Sequence, residues 1–120
     1  MSASTGLGID RQELLNRVEN DQELAREILM IFQSDAPAYL GSLSSAVVSK
    51  SVEDVRRYAH MFKGMLANLA APSASSLAAE LEQFAKAGQA ERFPSAWAEF
   101  QKELNKVMSD AETLLAGSLK

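Results

Sequence analysis

Between Leu14 and Leu114 the apolar residues of this chain recur in segments three and four positions apart, the spacing of one face of a helix. Leu14, Leu15 and Val18 open the series, followed by Leu24, Ile28, Ile31 and Phe32, and then by Leu40, Leu43 and Val47. Strict alternation, the pattern of a half-buried strand, is hard to find. Composition points the same way, with 19 Ala and 15 Leu against 11 residues of Val, Ile and Thr together. β-Branched residues suit a pleated surface, whereas alanine and leucine favour helix. The expected fold is all-α.

Punctuation divides the chain. A short helix is expected from Asp10, and Asn20 with Glu23 has the spacing of a capping box for the next. Pro37, after Asp35, is expected to kink or restart that helix, since proline fits a first turn but disrupts an interior. Ser51 and Asp54 cap a helix running to about Ala70. Pro72 suits the first turn of another, which stops at Gly88 and carries Leu77, Leu81, Phe84 and Ala85. Pro94 opens the last, whose stripe is Trp97, Phe100, Leu104, Val107, Ala111 and Leu114. Four long amphipathic helices with short turns pack most simply as an antiparallel up-down four-helix bundle, with the short additional N-terminal helix as a cap. Residues 1–8 are expected to be a flexible lead, and residues 9–117 the helical bundle domain.

Charge and rare residues narrow the function. With 12 Lys and Arg against 16 Asp and Glu, the net charge of −4 offers no basic footprint for nucleic acid. The absence of cysteine removes disulfides, thiolate zinc sites and a cysteine nucleophile. A single histidine removes sites built from paired histidines. No metal or other cofactor is expected. Residues 1–8 lack the basic start and apolar run of a signal peptide, and no apolar stretch approaches a membrane span. A cytoplasmic monomer without a membrane partner is expected, and any imidazole chemistry must pass through His60.

On a helical wheel Val55, Ala59, Phe62, Leu66 and Leu69 form one buried stripe. His60 falls on the solvent flank, with Arg56, Arg57, Lys63, Gly64 and Ala67. A lone surface histidine is ordinarily just a solvated side chain, but three details weigh against that here. Gly64 sits in a helix interior, where glycine costs about 1 kcal/mol relative to alanine; close approach by another molecule is a physical reason to bear that cost. Lys63, three residues on, can reach an anion held on the imidazole. Neutral histidine also offers a nucleophilic nitrogen near neutral pH.

At these residues the chain resembles the histidine-containing phosphotransfer (HPt) domains. The segment Ala59 to Ala71 (AHMFKGMLANLAA) is similar to the family signature, in which two residues separate the phosphorylated histidine from Lys-Gly and a small-residue stretch follows. His60, Lys63 and Gly64 match it, as do Asn68, Leu69 and Ala71. Outside it, Phe32 to Pro37 resembles the family's second helix and Leu77 to Gly88 the helix after the histidine, so that the likeness spans residues 9 to 116. Met65 and Leu66 stand where the family has small residues, and Ala70 where it has glycine. Leu66 belongs to the core stripe, and Met65 is expected to affect partner preference at most.

The resemblance implies that His60 accepts a phosphoryl group from the aspartyl phosphate of a receiver domain and passes it to another receiver's aspartate. Response-regulator receiver domains, including that of a hybrid sensor histidine kinase, are the implied partners, and the magnesium belongs to the receiver. Lys63, helped by Arg56 or Arg57, would offset the transferred charge, and Gly64 would let the receiver come close. Glu82 lies as far beyond Ala71, the centre of the turn, as His60 lies before it, so an antiparallel pair sets the two level. Glu82 is therefore a candidate to orient His60, as Glu or Gln does in several family members; the plainer reading makes it, like Glu80, a solvated acid. Glu99, Lys102, Glu103 and Lys106 form a solvated face, Trp97 and Phe100 belong to the core, and Met61 and Tyr58 are open to partner contact or packing. No nucleotide-binding segment is visible, so autonomous kinase activity is not expected. A helical adaptor that binds partners without phosphorylation remains the alternative.

Overall fold

Five α-helices follow one another in the computed structural model, which describes residues 8–117: α1 (Arg11–Arg17), α2 (Gln22–Ser49), α3 (Val52–Asn68), α4 (Pro72–Lys86) and α5 (Phe93–Ala116), with a 3₁₀ turn at Ala90–Arg92 before α5. No strand occurs among the described residues. Of the lead expected over residues 1–8, all but Gly8 lies outside the described residues; Gly8 itself is buried. No described helix is long and apolar enough to cross a membrane.

The connections are short because single residues reverse the chain in the left-handed region. Lys50 (φ 57°) ends α2, Ala70 (φ 60°) turns α3 into α4, and Gly88 (φ 69°) follows α4. Short turns force consecutive helices antiparallel. The four long helices form a ring in which each packs on its two neighbours, and α3 with α4 is the most extensive pair. Phe62 and Phe100 meet edge to face in the core, with centroids 5.3 Å apart. The buried face of α4 is Ala74, Ala78, Leu81 and Ala85, small enough overall to let a neighbouring helix come close.

α1 closes one end of the bundle. The Asp10 amide donates to the Ala70 carbonyl, and the Arg17 guanidinium donates to the Ala67 carbonyl, tying α1 to the α3–α4 turn. At the start of α2, Arg26 donates to the carbonyls of Leu115 (2.8 Å) and Gly117 (3.4 Å), serving acceptors that the end of α5 leaves free.

Several sequence expectations shift by a residue or a turn. The cap of α2 is Asp21, whose carboxylate accepts from the Leu24 amide at 3.1 Å, rather than Asn20. Asn20 (φ 63°) and Glu19 (φ 53°) are spent reversing the chain after α1, so the cap moves one residue on. α2 neither stops nor restarts at Pro37 but continues to Ser49. Pro37 is exposed, where water can serve the carbonyl deprived of its amide partner. Ser51 occupies the cap position of α3 without a side-chain hydrogen bond, and α3 ends at Asn68. Leu24 and Ile31, expected on the apolar face of α2, are exposed; Phe32 is buried as expected, and Ala25, Leu29 and Ala36 are buried beside it.

Candidate functional site

The stripe Val55, Ala59, Phe62, Leu66 and Leu69 is fully buried, which turns His60 outward on α3 with 63% of its side chain exposed. Facing it from α4 is Glu82, whose side chain is only 2% exposed. Of the two readings of Glu82, the solvated acid does not hold, since the side chain is buried, while Glu80 is exposed as expected. Glu82 follows Leu81 at the edge of the α4 face that packs on α3, so its carboxylate enters the seam between the two helices. Ser75 pins that seam by donating to the Lys63 carbonyl at 3.0 Å.

Three groups converge on the buried carboxylate. His60 Nδ1 lies 2.8 Å from Oε2, Lys63 Nζ lies 2.7 Å from Oε1, and Lys86 Nζ lies 3.5 Å from Oε2. Oε1 finds no donor with hydrogen-bond angles, so the Lys63 ammonium satisfies it as an ion pair. Burial works against ionising Glu82. The short contacts from Lys63 and His60, with the charges of Lys63 and Lys86, outweigh it and hold the carboxyl down at about 2.

An ionised carboxylate only accepts hydrogen bonds, so the imidazole hydrogen facing it is on Nδ1. Neutral His60 then carries its lone pair on Nε2. The site combines an exposed nucleophilic nitrogen, a fixed tautomer and two ammonium groups beside it.

Around this cluster the helix surface is bare. Gly64 is exposed, and a Cβ built there would meet nothing within 4 Å, so no packing demand among the described residues calls for glycine. Ala67, one turn on, is exposed too. Arg56 and Arg57 are tied to acids of their own helix, Glu53 at 2.5 Å and Asp54 at 3.0 Å. On the other flank Met61 and Met65 line an apolar groove with Ile31 and Tyr39, while Tyr58 packs against the core. Leu66 is buried as expected.

The fold thus brings His60, Lys63 and Glu82 together, with Gly64 beside them rather than among them. Lys86 was not anticipated. Its signal was present in the sequence as an i,i+4 pair with Glu82 on one helix face.

Comparison with known proteins bears on the family and the fold. The Hpt domain family model matches residues 27–112. Among solved structures, the chain is similar to histidine-containing phosphotransfer protein B (HptB) from Pseudomonas aeruginosa PAO1, at 25% identity over 96% of this chain and 97% of that one, with a TM-score of 0.84. No curated protein matches the chain significantly.

Proposed function

The chain belongs to the Hpt domain family and has a phosphotransfer role in two-component signalling; on that premise we propose that it is a phosphorelay intermediate. His60 takes a phosphoryl group from the aspartyl phosphate of one receiver domain and gives it to the aspartate of another. The observation that carries this reading is the contact between His60 Nδ1 and the ionised, buried Glu82 on an otherwise exposed imidazole.

The chemistry balances with few parts. The Nε2 lone pair attacks phosphorus, the bond to the receiver's carboxylate oxygen breaks, and the carboxylate leaves with the electron pair. No proton has to move. The ring acquires positive charge shared with its Nδ1–H, which faces the Glu82 carboxylate. Phosphoryl transfer depends mainly on positioning and on neutralised charge, and this domain supplies both to the transferred group. Magnesium and the acidic pocket are the receiver's contribution, and this chain needs no cofactor of its own. Lys63 keeps Glu82 ionised and adds positive charge to the His60 face. Gly64 leaves the backbone open to a receiver, and Met65 in the neighbouring groove bears on which receiver is preferred. A cytoplasmic location suits such a role.

Incubation with phosphorylated receiver domains tests the reading. Acid-labile, alkali-stable label on the wild-type chain, absent from His60→Gln, is the expected result. No label from several receivers would favour an adaptor that binds without phosphorylation.

A further inference from the structure

The two lysines on Glu82 are not equivalent, and we propose that Lys86 is the cation that leaves Glu82 to meet the transferred phosphoryl group while Lys63 stays. This inference rests on the phosphocarrier reading above. Lys63 stands at 2.7 Å as the ion-pair partner of Oε1, a buried oxygen with no other donor among the described residues. Its departure would strand a buried anionic oxygen, which a low-dielectric setting penalises heavily. Lys86 stands at 3.5 Å from Oε2, beyond the length of a direct charge-assisted hydrogen bond, and that oxygen already accepts from His60 at 2.8 Å. Lys86 is also the more exposed of the two, at 50% against 36%. Its departure strands nothing.

Charge leads to the same assignment. One carboxylate faces two ammonium groups, so with His60 neutral the cluster holds one cation more than Glu82 needs. On Nε2 the phosphoryl oxygens carry two negative charges while the ring gains one positive charge, so the transfer adds one net negative charge and takes up that excess. Because the Lys86 and His60 contacts end on the same oxygen, the ammonium is one carboxylate atom away from the ring, on a stem with four rotatable bonds. Arg56 and Arg57 are engaged by Glu53 and Asp54 on their own helix. When the phosphoryl group departs to a second receiver, Lys86 returns to Oε2.

The full chain tests this with phosphoramidate, a small donor that reads the site without a receiver; ammonia leaves as the Nε2–P bond forms. The rate of His60 labelling is followed by ³¹P NMR, and the ring tautomer by ¹⁵N shifts of His60. Lys86→Met is expected to label about tenfold more slowly, and Lys86→Arg within about threefold of wild type, both with unchanged ring ¹⁵N shifts. Lys63→Met should instead move those shifts, since it disturbs Glu82. Wild-type labelling with Lys86→Met at the same rate overturns the assignment. So does a loss in Lys86→Met accompanied by altered ring shifts, because Lys86 would then act through Glu82. A wild-type chain that takes no label from phosphoramidate or from phosphorylated receivers removes the phosphocarrier reading, and this inference with it.

Discussion

His60 and Glu82 make one short contact, 2.8 Å from Nδ1 to Oε2, between an imidazole that is mostly exposed and a carboxylate that is almost wholly buried. The asymmetry suits the proposed division of work, in which the buried member fixes the ring and the exposed ring offers Nε2 for transfer. Replacing Glu82 by Ala is expected to slow phosphotransfer about tenfold or more with helical content retained, because a lost orienting partner typically costs one to two orders of magnitude. Glu82→Gln, which can still accept from Nδ1–H, should fall between Ala and wild type. Phosphotransfer rates and ¹⁵N shifts of His60 check this; an Ala variant at the wild-type rate would reject the orienting role.

Glu82 also ties stability to pH. Its carboxyl is held at about 2, against 4.5 for an unperturbed glutamate. The unfolded chain therefore binds the proton more readily across this interval, and stability rises with pH there. The contribution is fully present above about pH 5 and is lost as pH falls through about 2. Its size is about 1–2 kcal/mol, less than the whole shift implies, because His60, Lys63 and Lys86 are partly solvated. Urea midpoints of His60→Gln and His60→Gln/Glu82→Gln, which lack the imidazole's own titration, should differ at pH 6 and converge towards pH 3. A gap that does not narrow on acidification would contradict this linkage.

How far the sequence reveals this site depends on the range of each contact. His60, Lys63 and Gly64 lie within five residues on one helix, so a wheel with the core stripe marked places them correctly. The level pairing of Glu82 follows from the symmetry of a tight turn at Ala70 and Ala71. Its burial does not follow, since a charged residue beside Leu81 is solvated unless partners compensate it, and those partners come from two helices. Alanines hid the closeness of α3 and α4: Ala74 and Ala78 count in a sequence as helix formers, while in the fold they line the α4 face packed in the core. Ile31 and Leu24 went astray because the long α2 offers more apolar residues than its buried face takes up.

The chain's entry into the bundle is a second place where one atom decides. The amides of Gly8 and Ile9 both donate to Asp110 Oδ2, at 2.5 and 3.0 Å. A Cβ at Gly8 would lie 2.7 Å from Val107 N and 2.9 Å from its Cα, both backbone atoms that cannot step aside cheaply. Gly8→Ala should therefore destabilise the fold by about 1–3 kcal/mol. Asp110→Ala should cost about 1–2 kcal/mol through two amides left without their acceptor. Urea denaturation measures both, and phosphotransfer per folded molecule should stay at the wild-type value, since neither residue is near His60 in the cluster. Wild-type stability in both variants would show that the segment at Gly8 is not anchored by α5.

Gly64 sets stability against function with opposite signs. A helix-interior glycine forfeits about 0.5–1 kcal/mol relative to alanine. Here a Cβ would meet nothing within 4 Å, so no clash offsets the gain. Gly64→Ala is therefore expected to raise the melting temperature by a few degrees, the response for a domain of this size being about 4 °C per kcal/mol. If the bare backbone beside His60 serves the approach of a receiver, the same methyl group should slow transfer from a phosphorylated receiver. Labelling by phosphoramidate, which needs no such approach, should be little changed. The comparison of the two donors separates docking from chemistry: equal effects on both would place Gly64 in the reaction itself, and no effect on either would remove it from the interface.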